Sequence, residues 1–176
     1  MSYTIRTETP TDHSAIYNLI KIAFQTANVS DGSEQDFYTS LKQSPRFIPE
    51  LALIAEQNNK IIGQVMLTRF EIECNNGTKQ PSLLLAPIAV AKDYRSQGVG
   101  FTLMKEAFKR AKDLGFKSVF LMGDPAYYSR IGFHQTTNFS ITCQDNDVPA
   151  IYIQALELVP NALKNCAGQI SFNVLN

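Results

Sequence analysis

The chain has no tryptophan, and only three cysteines and two histidines among its 176 residues. Cys74, Cys143 and Cys166 are scattered and odd in number, with none of the paired spacings of a metal site or a disulfide framework. A small disulfide-stapled scaffold is therefore excluded, and reduced thiols in the cytoplasm are expected. Charge of either sign is not in excess: Lys and Arg number 16, as do Asp and Glu. Nothing in that balance directs the chain to nucleic acid or to an anionic membrane. No apolar run reaches the length needed to cross a bilayer, and the first residues lack the basic-then-apolar pattern of a signal peptide. Internal repeats, low-complexity tracts and linkers are missing too. What remains is an ordinary apolar fraction of 44% on a chain long enough for one well-filled domain over residues 1–176.

Read in order, Tyr3-Thr4-Ile5-Arg6 predicts a first strand. Pro10-Thr11-Asp12 opens a helix with Ile16, Leu19, Ile20 and Ala23 at helical spacing. Asn28 to Ser33 is a polar break, and a shorter helix is expected over Glu34 to Gln43 with Phe37 and Leu41 inward. Leu51 to Glu56 and Ile61 to Cys74 predict a hairpin through Gln57-Asn58-Asn59-Lys60, with a bend at Gly63. Asn76-Gly77 predicts a second hairpin into a fourth strand, Ser82 to Val90, apolar on both faces and interrupted at Pro87. Lys117 to Met122 makes a fifth strand, parallel to the fourth because a helix crosses between them. Asp124 and Pro125 start a short helix that Gly132 ends. Phe133 to Ile141 is expected as a sixth strand and Ala150 to Leu158 as a seventh. Asp145-Asn146-Asp147 lies between them as a loop, and the tail from Asn161 adds a turn and an edge strand, a candidate dimer surface.

The fourth and fifth strands each run at the carboxyl end into a helix N-terminus, where ligands of open α/β sheets collect. After the fourth comes Arg95-Ser96-Gln97-Gly98-Val99-Gly100, then Leu103, Met104, Ala107, Phe108 and Ala111 at helical spacing. Glycines admit an anion close to the backbone, and the first-turn N–H groups point at it. The same residues also make a plain strand-to-helix connector, and that reading stays open. A dinucleotide oxidoreductase is set aside, because Gly-x-Gly-x-x-Gly is not present. A splay beginning near Pro87 would leave strand amides free for an amide-bearing ligand.

These residues resemble the GCN5-related N-acetyltransferases (GNAT). That family's pyrophosphate motif, Gln/Arg-x-x-Gly-x-Gly/Ala, is met by Arg95 through Gly100, and its tyrosine four residues before Gly-Phe corresponds to Tyr128, ahead of Gly132-Phe133. The string from Gly123 to Phe133 resembles a subgroup of predicted bacterial acetyltransferases. The resemblance implies an α+β fold: a mixed, mostly antiparallel sheet of about seven strands, a splayed parallel pair of fourth and fifth strands, and about four helices. It implies acetyl-CoA as cosubstrate and a primary amine, small molecule or peptide, as acceptor, without nucleic acid or membrane. The coenzyme side would comprise Ile88, Ala89 and Val90 along the pantetheine, and Arg95, Ser96, Gln97, Gly98, Val99 and Gly100 around the pyrophosphate. Asp124 and Tyr127 flank it. Arg95 either reaches the phosphates or packs elsewhere. Tyr128 would hydrogen-bond the departing thiolate, and Glu71 or Glu73 would be the base, against the default of solvated strand-end charge. His134 is read as structural. Phe37, Tyr38, Phe47 and Tyr152 are candidates to line the acceptor site beside the acidic Asp31, Glu34 and Asp36, although core positions suit most of these aromatics. A CoA-binding module without catalysis is the alternative.

Overall fold

The computed structural model describes residues 2–26, 31–145 and 148–175. Nine strands and four α-helices form among these residues: β1 (Thr4–Thr7), α1 (His13–Phe24), α2 (Glu34–Gln43), β2 (Ala52–Gln57), β3 (Lys60–Cys74), β4 (Lys79–Val90), α3 (Val99–Asp113), β5 (Ser118–Met122), α4 (Pro125–Tyr128), β6 (His134–Gln135), β7 (Ile141–Cys143), β8 (Ile153–Glu157) and β9 (Gly168–Ile170). The fold is a mixed, mostly antiparallel sheet, with β4 and β5 parallel. Contacts divide the chain into two compact units, Met1–Thr68 with Leu85–Arg110, and Arg69–Leu84 with Ala111–Asn176. The elements β3, β4 and α3 run through both.

In the first unit the strand order is β1-β2-β3-β4. Asn58 and Asn59 both take positive φ, 51° and 59°, as a tight hairpin between right-twisted strands requires. Past that turn the β2–β3 register slips, with Glu56 opposite Ile61 but Ala55 opposite Gly63, so the expected bend is a bulge at Ile62. The side of Gly63 without a side chain meets α3: a Cβ there would lie 2.9 Å from Leu103 Cδ1 and 3.0 Å from Val99 Cγ1. Gly63→Val overpacks this contact, and the urea midpoint is expected to fall at unchanged m-value, by about 1–3 kcal/mol of unfolding free energy. An unchanged midpoint would show that α3 gives way freely.

The buried face of α1 is Ile16, Ile20 and Ala23, three of the four residues its spacing predicts, with Leu19 half-buried. That of α2 is Gln35, Tyr38 and Leu41 rather than Phe37 and Leu41, one residue of rotation that brings Tyr38 to full burial. The Tyr38 hydroxyl donates to Glu8 (3.1 Å), which also pairs with Lys42, and His13 stacks on the Tyr38 ring at 5.5 Å. Of the Asn28 to Ser33 break, residues 28–30 lie outside the described residues.

In the second unit the order is β4-β5-β8-β6, and β9 lies between β3 and β7. The β4–β5 ladder comprises Leu83 opposite Val119 and Leu84 opposite Phe120, with the Ser82 and Ser118 hydroxyls 2.8 Å apart at its start. Pro87 lies beyond that ladder, after a cis peptide bond. The expected sixth strand is two short ones. A 3-10 turn over Thr136–Phe139 ends with Ser140 left-handed at φ 58°, which redirects the chain so that β6 pairs with β8 and β7 with β9. The seventh starts three residues later than expected: Pro149 leads into a 3-10 turn at Ala150–Tyr152 before β8. The tail strand β9 is flanked by β3 and β7, and therefore is not an edge. Asp145 accepts from Ser171, Phe172 and Asn173, while Asn146 and Asp147 lie outside the described residues.

Candidate active site

The first unit carries the glycine turn. Ser96 and Gly98 are both left-handed, at φ 59° and 81°, and fold the loop tightly into α3. The first α-helical bond runs from Thr102 N–H to the Gly98 carbonyl (2.9 Å), so the amides of Val99, Gly100 and Phe101 precede the intrahelical ladder. The Gln97 side chain is tied back, its Nε2 donating to the Asp93 carbonyl (2.7 Å). Gly98 is exposed, and a Cβ on it would meet no atom within 4 Å. The arrangement is open, with oriented donors at the positive end of a helix dipole, and suits a phosphate group.

Arg95 is exposed and hydrogen-bonded to the chain. Its guanidinium donates to the carbonyls of Val90 (3.2 Å) and Ala23 (2.8 Å) and to the Thr26 hydroxyl (2.9 Å). It thus neutralises the carbonyl end of α1 and ties that helix to the last residue of β4. Ile88 and Val90 are half-buried and Ala89 is buried; the Ala89 carbonyl lies over Gly63.

The second unit carries Tyr128. Asp124 is the N-cap of α4, its carboxylate accepting from Ala126 N–H at 2.8 Å, which commits that side chain to the helix start. Gly132 ends the segment at φ 101°. Tyr128 is half-buried; its ring stands edge-on to Tyr127 (4.9 Å, 86°) and to the buried Phe133 (5.7 Å, 72°). Burial, with a smaller contribution from Tyr127, pushes the Tyr128 hydroxyl above the ordinary tyrosine value and keeps it a neutral donor. Tyr127 is shifted the same way by burial but is 42% exposed.

Glu71 and Glu73 are exposed at the hairpin end of β3, beside the turn into the amino end of β4. Glu71 pairs with Lys79 at 3.1 Å, and Glu73 accepts weakly from Gln144 (3.5 Å) and Gln169 (3.4 Å). His134 is exposed on β6. Among the aromatics named for an acceptor site, Tyr38 is core, Phe37 and Phe47 are half-buried, and Tyr152 is 37% exposed. Asp36 accepts from Tyr17, and Asp31 from Ser33. Sequence reasoning missed Gln154, whose buried amide donates to the Gly123 carbonyl at 2.8 Å. Its only local signal is a glutamine inside an apolar strand.

The acetyltransferase (GNAT) domain family matches residues 4–136. The uncharacterized N-acetyltransferase YhbS of Escherichia coli K12 is 27% identical over 174 residues, covering 96% of this chain and 95% of that protein. YjhQ of the same strain, also an uncharacterized N-acetyltransferase, is 32% identical over 102 residues, 57% of this chain and 55% of its own. The crystal structure of E. coli YhbS in complex with CoA superposes with a TM-score of 0.86 at 25% identity, covering 98% of this chain and 91% of that one. A GNAT family acetyltransferase of Brucella melitensis, crystallised with acetyl-CoA, shares the fold at a TM-score of 0.79 and 22% identity over 99% of this chain and 97% of its own. The family match takes in the glycine turn, Tyr128 and the strands that carry them, and the chain belongs to the GNAT acetyltransferase family.

Proposed function

We propose that the protein, acting as one domain over its length, transfers an acetyl group from acetyl-CoA to a primary amine by direct attack in a ternary complex. The observation that carries this reading is the open glycine turn between β4 and α3, in a chain of this family. Backbone N–H groups of Gln97, Gly98, Val99 and Gly100, with Ser96 shaping the turn, hold the pyrophosphate. Arg95 braces the turn and leaves the phosphates to the backbone. The strand amides of Ile88, Ala89 and Val90 pair with the pantetheine arm as an added strand would. The Val90 N–H donates to the thioester carbonyl oxygen as negative charge grows there.

The amine nitrogen bonds to the carbonyl carbon, the carbon–sulfur bond breaks, and the electron pair leaves on sulfur. Tyr128 donates a hydrogen bond to that thiolate. Full proton transfer is uphill, since a thiol near pKa ~8.5 is already more acidic than tyrosine near ~10 and burial widens the gap. An acyl-cysteine route has no suitable thiol: Cys74 and Cys166 are buried, and burial pushes the thiols of Cys143 and Cys166 up. Glu71 and Glu73 are read as solvated strand-end charge, so the acceptor enters as the free amine and loses its proton to solvent.

Thiol release from acetyl-CoA, measured over polyamines, arylalkylamines, amino-acid amides and peptide N-termini, tests the reading. Amine-dependent release is expected, and Glu71→Gln and Glu73→Gln should keep kcat within about two-fold, as exposed substitutions do. Acetyl-CoA binding with no release over the whole panel would establish a CoA-binding module instead. A large loss in either glutamine variant would restore that carboxylate as the base.

A further inference from the structure

The helix that bears Tyr128 is four residues long, too short to hold a side chain in place by its own hydrogen bonds. Its ring is instead seated on Gly123. A Cβ at 123 would lie 2.3 Å from Tyr128 Cε2 and 2.9 Å from Cδ2, inside van der Waals contact. Gly123 does not have the left-handed φ of Gly98 or Gly132, so the ring, not the backbone conformation, is what calls for glycine there.

The Gly123 peptide is in turn gripped by the neighbouring strand segment. Its N–H donates to the Tyr152 carbonyl at 2.9 Å, and its carbonyl accepts from Gln154 Nε2 at 2.8 Å. Gln154 is 1% exposed, opposite Leu121 of β5 and Gln135 of β6, and its chain neighbours Ile153 and Ala155 are fully apolar and buried. A carboxamide is unfavourable in such a place unless its hydrogen bonds are made. The bond to Gly123 is what it makes, across 31 residues of chain.

We propose that Gln154 is a positioning residue: its carboxamide fixes the Gly123 peptide, and Gly123 fixes the Tyr128 ring at the place where the leaving thiolate needs a donor. The inference rests on the role given to Tyr128 above. Ring placement errors near 1 Å weaken catalysis without touching coenzyme binding, so Gln154→Leu should lower kcat about 10-fold with KM for acetyl-CoA unchanged.

The test compares Gln154→Leu, Gly123→Ala and Tyr128→Phe with the double variant Gln154→Leu/Tyr128→Phe. In the free protein carrying 13C-labelled tyrosine, the Tyr128 ring signals, identified by their loss in Tyr128→Phe, should shift or broaden in Gln154→Leu and Gly123→Ala. Signals of the other tyrosines distant from α4 should hold. In kinetics, Gln154→Leu should change kcat less than two-fold once Tyr128 is already Phe, because the effect runs through that hydroxyl. Equal losses in both backgrounds, or unmoved Tyr128 signals, overturn the inference. Wild-type kcat in Tyr128→Phe overturns the role of Tyr128 itself, whatever Gln154 does. If Gln154→Leu does not fold, Gln154→Met, which keeps the side chain's length and removes the Nε2 donor, takes its place in both backgrounds.

Discussion

Tyr128→Phe is expected to lower kcat about 10–100-fold, the range that one hydrogen bond to a charged sulfur supports. The KM for acetyl-CoA should stay within about three-fold, because the bond strengthens only as negative charge reaches the sulfur. Stability should barely change. The ring contacts with Tyr127, Phe133 and Gly123 survive in Phe, and the hydroxyl has no partner among the described residues whose loss would be felt. The pH profile separates this role from that of a titrating acid. Burial raises the hydroxyl above its ordinary value near ~10, so the donor is fully protonated through neutral and mildly alkaline pH and is lost only above ~10. Activity should therefore rise with pH as the acceptor amine deprotonates, with no alkaline fall below ~10 from this group. Steady-state kinetics over that range, with a thermal melt of the variant, checks both parts. An alkaline limb near neutrality that vanishes in Tyr128→Phe would show a hydroxyl of lowered pKa and sink the hydrogen-bond-only account.

Much of this arrangement was legible in the chain itself, and what was legible shares a cause. Asn58-Asn59, Asn76-Gly77, Asp124-Pro125 and Gly132 act within a few residues of themselves, through positive φ or an N-cap, so their local pattern was sufficient. The apolar run of β4 and the helical spacing of α3 were legible for the same reason. Where placement depends on a distant partner, local pattern was insufficient. Thr136 to Phe139 reads as strand by residue type, yet β7 pairs not with β8 but with the distant β9, Ile141 opposite Gly168. The α2 face turned by one residue because the Tyr38 hydroxyl has Glu8 to bond, 30 residues away. Arg95 sits in the phosphate motif, but the carbonyl end of α1 claims its guanidinium. The support of Tyr128 by Gln154 belongs to this second class.

Gly98→Val should weaken CoA about 10–100-fold while leaving a pyrophosphate-free donor untouched. Gly98 has φ 81° and no atom within 4 Å of a would-be Cβ, so the position has room for a branched carbon. The effect comes instead from the backbone. A side-chain-bearing residue in the left-handed region costs about 1–2 kcal/mol, and a β-branched one falls at the high end. The free loop relieves that strain by leaving the left-handed conformation, and binding must then restore it. A turn that has left that conformation also misdirects the first-turn N–H groups of α3 that would hold the anion, a contact worth about 0.3–1 kcal/mol and up to ~2 when partly buried. Together these terms give roughly 1.4–2.7 kcal/mol, or about 10–100-fold. Calorimetric titration with CoA measures the loss. Turnover with acetyl-pantetheine, which lacks the pyrophosphate, supplies the control, since its kcat/KM should match the wild type. Equal losses for both donors would mean that the valine has disturbed β4 or α3 rather than a phosphate cradle. No loss for either would return the turn to a connector between strand and helix.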